Sequence, residues 1–186
     1  MLSLVFLAVL VAGSNALGTV PELDVGQYVG RWYQMYTNGW TNVFSNLQDP
    51  ECVTADYAII NATYISVYNY NYNLEGVANG IAGYAFLPDI REPGKLKVAL
   101  DGVPVVGDYW VFKLGPVVNG QYEYSLITDG ADTRQLFVLA RNPTQFNAKY
   151  DAEVQEYITL TGFTSGLKQY QPVPQVPECK YLTQPL

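Results

Sequence analysis

Gly30-Arg31-Trp32-Tyr33-Gln34-Met35-Tyr36 is the stretch on which the fold turns. A glycine, one intervening residue and a tryptophan opening an aromatic run read as a tight backbone entry into a strand over Arg31 to Tyr36. Strand side chains alternate, so Trp32, Gln34 and Tyr36 are expected on one face, with Tyr33 and Met35 on the other. A tryptophan needs a closed pocket for its ring and a partner for its indole N–H, which suits a plug at one end of a core. The tetrapeptide alone fits a core tryptophan of any β domain equally well. A second stretch, Phe137-Val138-Leu139-Ala140-Arg141-Asn142-Pro143, is a hydrophobic strand ending in an arginine just before a helix start.

Outward from these two stretches, short alternating runs recur between turns bearing Gly, Asn and Asp. They are Cys52 to Ile60, Tyr64 to Asn73, Ile81 to Leu87, Lys95 to Leu100, Tyr109 to Leu114, Gln121 to Thr128 and Gln135 to Arg141. With the first strand they make roughly eight, joined to near neighbours, which suits an all-β, up-and-down antiparallel barrel. Strong alternation means one buried and one wet face and disfavours a parallel sheet. Thr144 to Leu160 is expected as one helix, capped by Asn142 with Pro143 in its first turn and ended by Gly162. Its stripe of Phe146, Tyr150, Val154, Tyr157 and Ile158 would pack on the outside of the barrel. The proline-rich tail, Gly166 to Pro185, reads as extended and able to add a short strand before Cys179.

The chain of 186 residues suffices for one domain with a sizeable core. Leu2 to Gly13 is apolar and uncharged, and Ser14-Asn15-Ala16 puts small residues where a signal peptidase reads. Residues 1–16 are therefore expected to be a secretory signal and 17–186 the folded domain. A membrane anchor is the alternative, but the run is short for a bilayer. No other stretch suits a transmembrane segment. The net charge is −7 with basic residues scattered singly, so no basic stripe exists for nucleic acid or an anionic membrane surface. Cys52 and Cys179 most simply pair with each other in a secreted chain, two free thiols being the alternative. Asn61-Ala62-Thr63 is a glycosylation sequon at an expected turn, and the proline in Asn142-Pro143-Thr144 blocks the other candidate.

The pairing of Gly30-x-Trp32 with Arg141 resembles the lipocalin family, most closely its apolipoprotein D and bacterial-lipocalin branch. In that family an arginine ending the last barrel strand packs over the first-strand tryptophan at the closed base, a sound partnership of cation and indole. The resemblance runs over essentially the whole mature chain. It places Cys52, at the start of the second strand, opposite a C-terminal tail cysteine, which here is Cys179. It departs at one turn, where a Thr-Asp-Tyr motif is replaced by Leu114-Gly115-Pro116. The long segment Thr37 to Pro50 corresponds to the loop over the barrel mouth, where Trp40 and Phe44 would either touch a ligand or pack on the rim.

If Cys52 faces the tail outside, the alternate residues of its strand face in, and aligning Tyr64 to Asn73 with the family puts Ile65 and Val67 inside. The expected ligand-binding set is Tyr36, Ala55, Tyr57, Ile65, Val67, Ile81, Gly83, Ala85, Leu96, Val98, Leu100, Tyr109, Ser125, Ile127 and Phe137. Small residues among large ones leave room for a guest, and an apolar lining with a few hydroxyls suits a small hydrophobic molecule. The resemblance implies a retinoid, sterol, fatty acid, pigment or bilin. Tyr68, Tyr70 and Tyr72 then point outward, either as a surface for homo-oligomer or matrix contacts or as ordinary cross-strand aromatic pairs. A one-residue slip would instead turn the tyrosines into the cavity. The chain contains no histidine, which removes a histidine triad, a histidine-ligated zinc and histidine-bound haem. No acidic loop of calcium spacing and no phosphate-cradling glycine loop is present, so no metal, no cofactor and no enzymatic activity is expected.

Overall fold

A computed structural model describes residues 17–45 and 49–183. The expected signal segment, 1–16, lies outside the described residues. A helical turn α1 (Val25–Tyr28), capped by the Asp24 carboxylate accepting from the Gln27 N–H, leads into β1 (Gly30–Asn38) and the short helix α2 (Gly39–Ser45). There follow β2 (Thr54–Ile59), β3 (Tyr64–Tyr72), β4 (Ala78–Phe86), β5 (Lys95–Leu100) and β6 (Gly107–Leu114). A two-residue ladder, β7 (Val117–Val118) with β8 (Gln121–Tyr122), interrupts the meander before β9 (Tyr124–Thr128) and β10 (Leu136–Ala140). Helices α3 (Pro143–Lys149) and α4 (Asp151–Leu160) and a strand β11 (Tyr170–Pro172) complete the chain.

Pairing runs β1-β2-β3-β4-β5-β6-β9-β10, and β10 returns to β1, closing an antiparallel barrel of eight strands with helices outside. Closure removes the free edges that an open sheet would present. At the end of β1 away from Trp32, β2 no longer pairs, and β11 takes its place against Tyr36, Thr37 and Asn38. The Gln175 side-chain amide donates to both the Gln34 and Val53 carbonyls, at 2.9 and 3.0 Å, stitching the tail across the gap where β1 and β2 part. Beside it Cys52 and Cys179 form the disulfide.

Apolar side chains gather in two layers. Inside the barrel, Tyr28, Trp32, Leu96, Val111 and Ile127 pack at and above the base. Outside, Phe112, Leu126, Leu136 and Val138 meet Phe146, Val154 and Ile158 of the helices. Asn142 caps the first helix as expected, its side chain accepting from the Gln145 N–H. The expected single helix is instead two. At Tyr150 the backbone leaves helical values (φ −120°, ψ −18°) and its ring rests against Tyr124. The Phe146/Val154/Ile158 stripe nevertheless stays on one face, because the break does not lose the i, i+4 hydrogen bonds from Tyr150 to Phe146 and from Val154 to Tyr150.

The alternation expected for β1 fails at one point. Gln34 pairs with Leu139 and Tyr36 with Val138, so Met35 is an extra residue, a β-bulge. Met35 and Tyr36 consequently both lie on the outer layer. Tyr36, placed in the cavity by strict alternation, sits under the helices instead. Its hydroxyl donates to Asp151 at 2.6 Å and its ring meets Phe146 and Tyr170. Parity is restored beyond the bulge, and Thr37 faces inward.

Candidate functional site

The closed end is built on Trp32 and Arg141. The guanidinium carbon lies 3.6 Å from the indole centroid, and the indole N–H donates to the Tyr28 carbonyl at 2.8 Å. Arg141 donates to the carbonyls of Gln27, Tyr28, Val29, Arg31 and Tyr122, tying α1, β1 and β8 to the end of β10. Burial lowers the pKa of its guanidinium to about 10, so the group remains a cation at neutral pH. Gly30 has φ +100°, and a Cβ there would sit 3.3 Å from the Arg141 guanidinium, so both backbone and space call for glycine. The unusual Leu114-Gly115-Pro116 turn leads into the β7–β8 ladder, whose Tyr122 carbonyl is one of the arginine's acceptors.

Above this base the barrel holds a cavity of about 520 Å³. Of the side chains expected in it, Ala55, Tyr57, Ile65, Val67, Ile81, Ala85, Val98, Leu100, Tyr109 and Phe137 line it. Leu96 and Ile127 point inward but are consumed in the packed layer around Trp32 and Val111. Ser125 is fully buried beneath the cavity against Tyr28. Gly83 is a contact point between strands, where a Cβ would overlap the Ala99 carbonyl and crowd the Leu100 Cα. Only Tyr36 is on the wrong side of the wall. The small residues therefore divide: Ala55 and Ala85 make room, whereas Ser125 and Gly83 serve packing.

Alternation within β3 holds, with Ile65, Val67, Asn69 and Asn71 on the cavity, while Tyr70 also borders it. Tyr68 and Tyr72 fold back on their own chain. The Tyr68 hydroxyl occupies the space beside Gly80, and the Lys180 ammonium stands 5.2 Å from the Tyr72 centroid. The more exposed Tyr64 and Tyr84 form a different cross-strand set, in which Tyr64 also stacks on the half-buried Phe86. Asn61 is exposed in the β2–β3 turn, its side-chain oxygen accepting from the Thr63 and Tyr64 N–H groups.

The mouth is more polar than alternation suggested. Gln34, Thr37, Thr41, Asn69, Asn71 and Gln135 face the cavity there, with Asp108 and Asp129 at its edge. Thr37 to Ser45 carries a short helix, and Phe44 from it reaches the cavity while Trp40 stacks behind Phe44 at 5.8 Å. Asn38 fixes this segment by accepting from both the Thr41 N–H and hydroxyl and donating to the Arg134 carbonyl. Gln34 was legible on the Trp32 face and Asn69 on the Ile65 face; Phe44 had only its loop position as a signal.

The floor is a file of hydroxyls. Tyr57 reaches Tyr109 at 3.2 Å, Tyr109 reaches Tyr28 at 2.8 Å, and Tyr28 reaches Ser125 at 2.9 Å. Tyr28 lies on the lead-in turn, where no periodicity marks it as core. Its ring stacks on Tyr57 with centroids 6.0 Å apart. Burial raises the Tyr28 phenol to about 12 and holds Tyr57 and Tyr109 above their ordinary range, so all three are neutral donors at physiological pH.

These shifts dictate alkaline behaviour. A phenol raised in the folded state contributes stability fully below its unfolded value of 10 and loses it as pH climbs through the folded value. Arg141 opposes this, because above about 10 the folded chain binds fewer protons there than the unfolded one, whose guanidinium holds its proton to higher pH. Tyr36 and Tyr124, also raised chiefly by burial, join the other three phenols, and together they outweigh the single guanidinium. Stability is expected to fall above pH 10, with tyrosinate absorbance from these residues rising together with loss of circular dichroism. Complete tyrosine titration with the dichroism intact would contradict the buried file.

Comparison with known proteins agrees with this architecture. The chain is 28% identical to mouse apolipoprotein D over 128 residues, 66% of this chain and 62% of that protein. The match thus spans less than two thirds of that relative. Among solved structures, lobster apocrustacyanin A1 superposes with a TM-score of 0.54 at 15% identity, covering 82% of this chain and 80% of that one. Japanin from Rhipicephalus appendiculatus, solved bound to cholesterol, gives 0.55 at 14% identity, covering 85% of this chain and all of its own (100%). These two likenesses speak to fold alone. A family model for the lipocalin-like domain matches residues 23–172, the whole of the closed barrel with its Trp32–Arg141 base, and the chain belongs to the lipocalin family.

Proposed function

We propose that this lipocalin is a secreted carrier that binds a small hydrophobic molecule inside the barrel. The observation that carries the reading is the cavity of about 520 Å³, walled by Ala55, Ile65, Val67, Val98, Leu100 and Phe137 and open beside a short helix. Apolar transfer would supply most of the affinity, at about 25 cal/mol per Å² buried. The fit of a sterol-sized guest in a related barrel, as in cholesterol-bound japanin, supports the size class. The Cys52–Cys179 disulfide, the apolar segment Leu2 to Gly13 and the exposed Asn61 sequon support passage through the secretory route, with Asn61 glycosylated on the way. Binding, rather than catalysis, suits a site whose titratable lining is neutral phenols below and carboxylates only at the rim.

Titration with a fluorescent fatty acid or retinol, followed by tryptophan quenching, tests this. Ala85 is 3% exposed and faces the cavity. Ala85→Trp would put an indole where the guest lies and is expected to weaken binding about tenfold or more, as overpacking costs accumulate. Saturable quenching in the wild type with that loss in the variant supports a carrier. Equal affinity in both would place binding outside the barrel.

A further inference from the structure

The hydroxyl file on the cavity floor has a direction. Ser125, Tyr28, Tyr109 and Tyr57 carry one proton each, and the three links between them consume one proton apiece. One proton is left over, on whichever of the four hydroxyls donates to none of the others. On Ser125 or Tyr28 it would be a buried O–H without a further acceptor, since Ser125 is fully buried, Tyr28 is 1% exposed, and neither lines the cavity. A buried donor without a partner is costly, so Ser125 gives to Tyr28 and Tyr28 to Tyr109. The surplus proton therefore emerges on one of the two paired hydroxyls that border the cavity, Tyr109 or Tyr57.

The charge surroundings narrow the acceptor. Among the described residues that line the cavity there is no lysine or arginine, and the charged ones, Asp108 and Asp129, are acidic and at the rim. A carboxylate head carried to the floor would lose its hydration with no cation on the lining to meet it, because Arg141 lies behind the floor with its donors given to backbone carbonyls. A neutral oxygen meets one donor and otherwise apolar walls.

We propose that the paired hydroxyls of Tyr57 and Tyr109 are a single-donor anchor, giving one hydrogen bond to the carbonyl oxygen of a neutral, otherwise apolar ligand that enters carbonyl end first. This rests on the carrier reading and specifies the ligand class within it.

Three probes of equal chain length separate the cases: methyl nonyl ketone, undecane and undecanoic acid, each titrated by calorimetry at neutral pH against the wild type and the double variant Tyr57→Phe/Tyr109→Phe. Removing either hydroxyl alone would hand the surplus proton to the other, whereas the double variant keeps both rings and leaves no donor of the file on the cavity lining. The ratio of ketone to alkane affinity is expected to drop about fivefold in the double variant, and the acid to bind more weakly than the ketone. The carbonyl stretch of carbon-13-labelled ketone should lie at lower wavenumber in the wild type than in the variant, a shift that a purely structural role for the pair would not produce. A ratio and a carbonyl band unchanged by the substitutions would overturn the anchor while leaving a carrier that binds by apolar contact alone. Tighter binding of the acid than of the ketone would overturn the neutral-ligand assignment. If none of the three bound to the wild type, the carrier reading itself would fall and the anchor with it.

Discussion

Trp32→Ala is expected to destabilise the protein by about 3–5 kcal/mol, the range for deleting a large aromatic side chain from a core that cannot collapse around the gap. The side chain is fully buried, and strands β1 and β2 with the α1 turn enclose it. The loss is compounded because the Arg141 guanidinium loses the indole it stacks on and the Tyr28 carbonyl loses one of its two donors, keeping the guanidinium. In urea denaturation the midpoint should fall with little change in slope, and the melting temperature should drop by roughly 10 °C. A variant that melted with the wild type would contradict the plugged base.

Arg141→Ala comes next, at about 2–4 kcal/mol. Five carbonyls, from Gln27, Tyr28, Val29, Arg31 and Tyr122, lose the guanidinium at once, although Tyr28 keeps the Trp32 indole N–H and Val29 the Gln121 side-chain amide. The total stays below the sum of five bonds because removing the guanidinium also relieves the cost of burying it, the same desolvation that lowers its pKa. Arg141→Lys separates charge from geometry. An ammonium keeps the charge but has three donors on a point, not a planar fork that can stack on indole while reaching several carbonyls. The lysine variant should recover little of the loss. Full recovery of the wild-type midpoint by lysine would mean that charge alone holds the base together.

Much of the architecture was legible because it depends on local rules. Strand alternation located the eight barrel strands, Gly30-x-Trp32 and Arg141 located the base, and Asn142-Pro143 located the helix start. The cysteine count anticipated the disulfide. What stayed hidden depends on long-range fit. The bulge at Met35 has no composition of its own; it exists because β1 must bend from β2 toward β11 while holding β10. It moved Tyr36 out of the cavity. Tyr28 belongs to a four-residue helical turn too short to show a period, yet it is the middle of the hydroxyl file. Alternation also says which way a side chain points and nothing about depth. Leu96, Ser125 and Ile127 point inward as expected, but lie in the packed layer below the cavity, not on its surface. The break at Tyr150 likewise follows from where its ring meets Tyr124, a contact across 26 residues of chain (150 − 124).

The central claim is that the barrel holds a small hydrophobic guest, and native mass spectrometry of the secreted protein, before and after organic extraction, tests it most directly. The account predicts an excess mass of a few hundred daltons, the size that a cavity of about 520 Å³ admits, that vanishes on extraction. Bare protein mass in both samples, together with no quenching of tryptophan fluorescence by retinol or a fluorescent fatty acid, would contradict it.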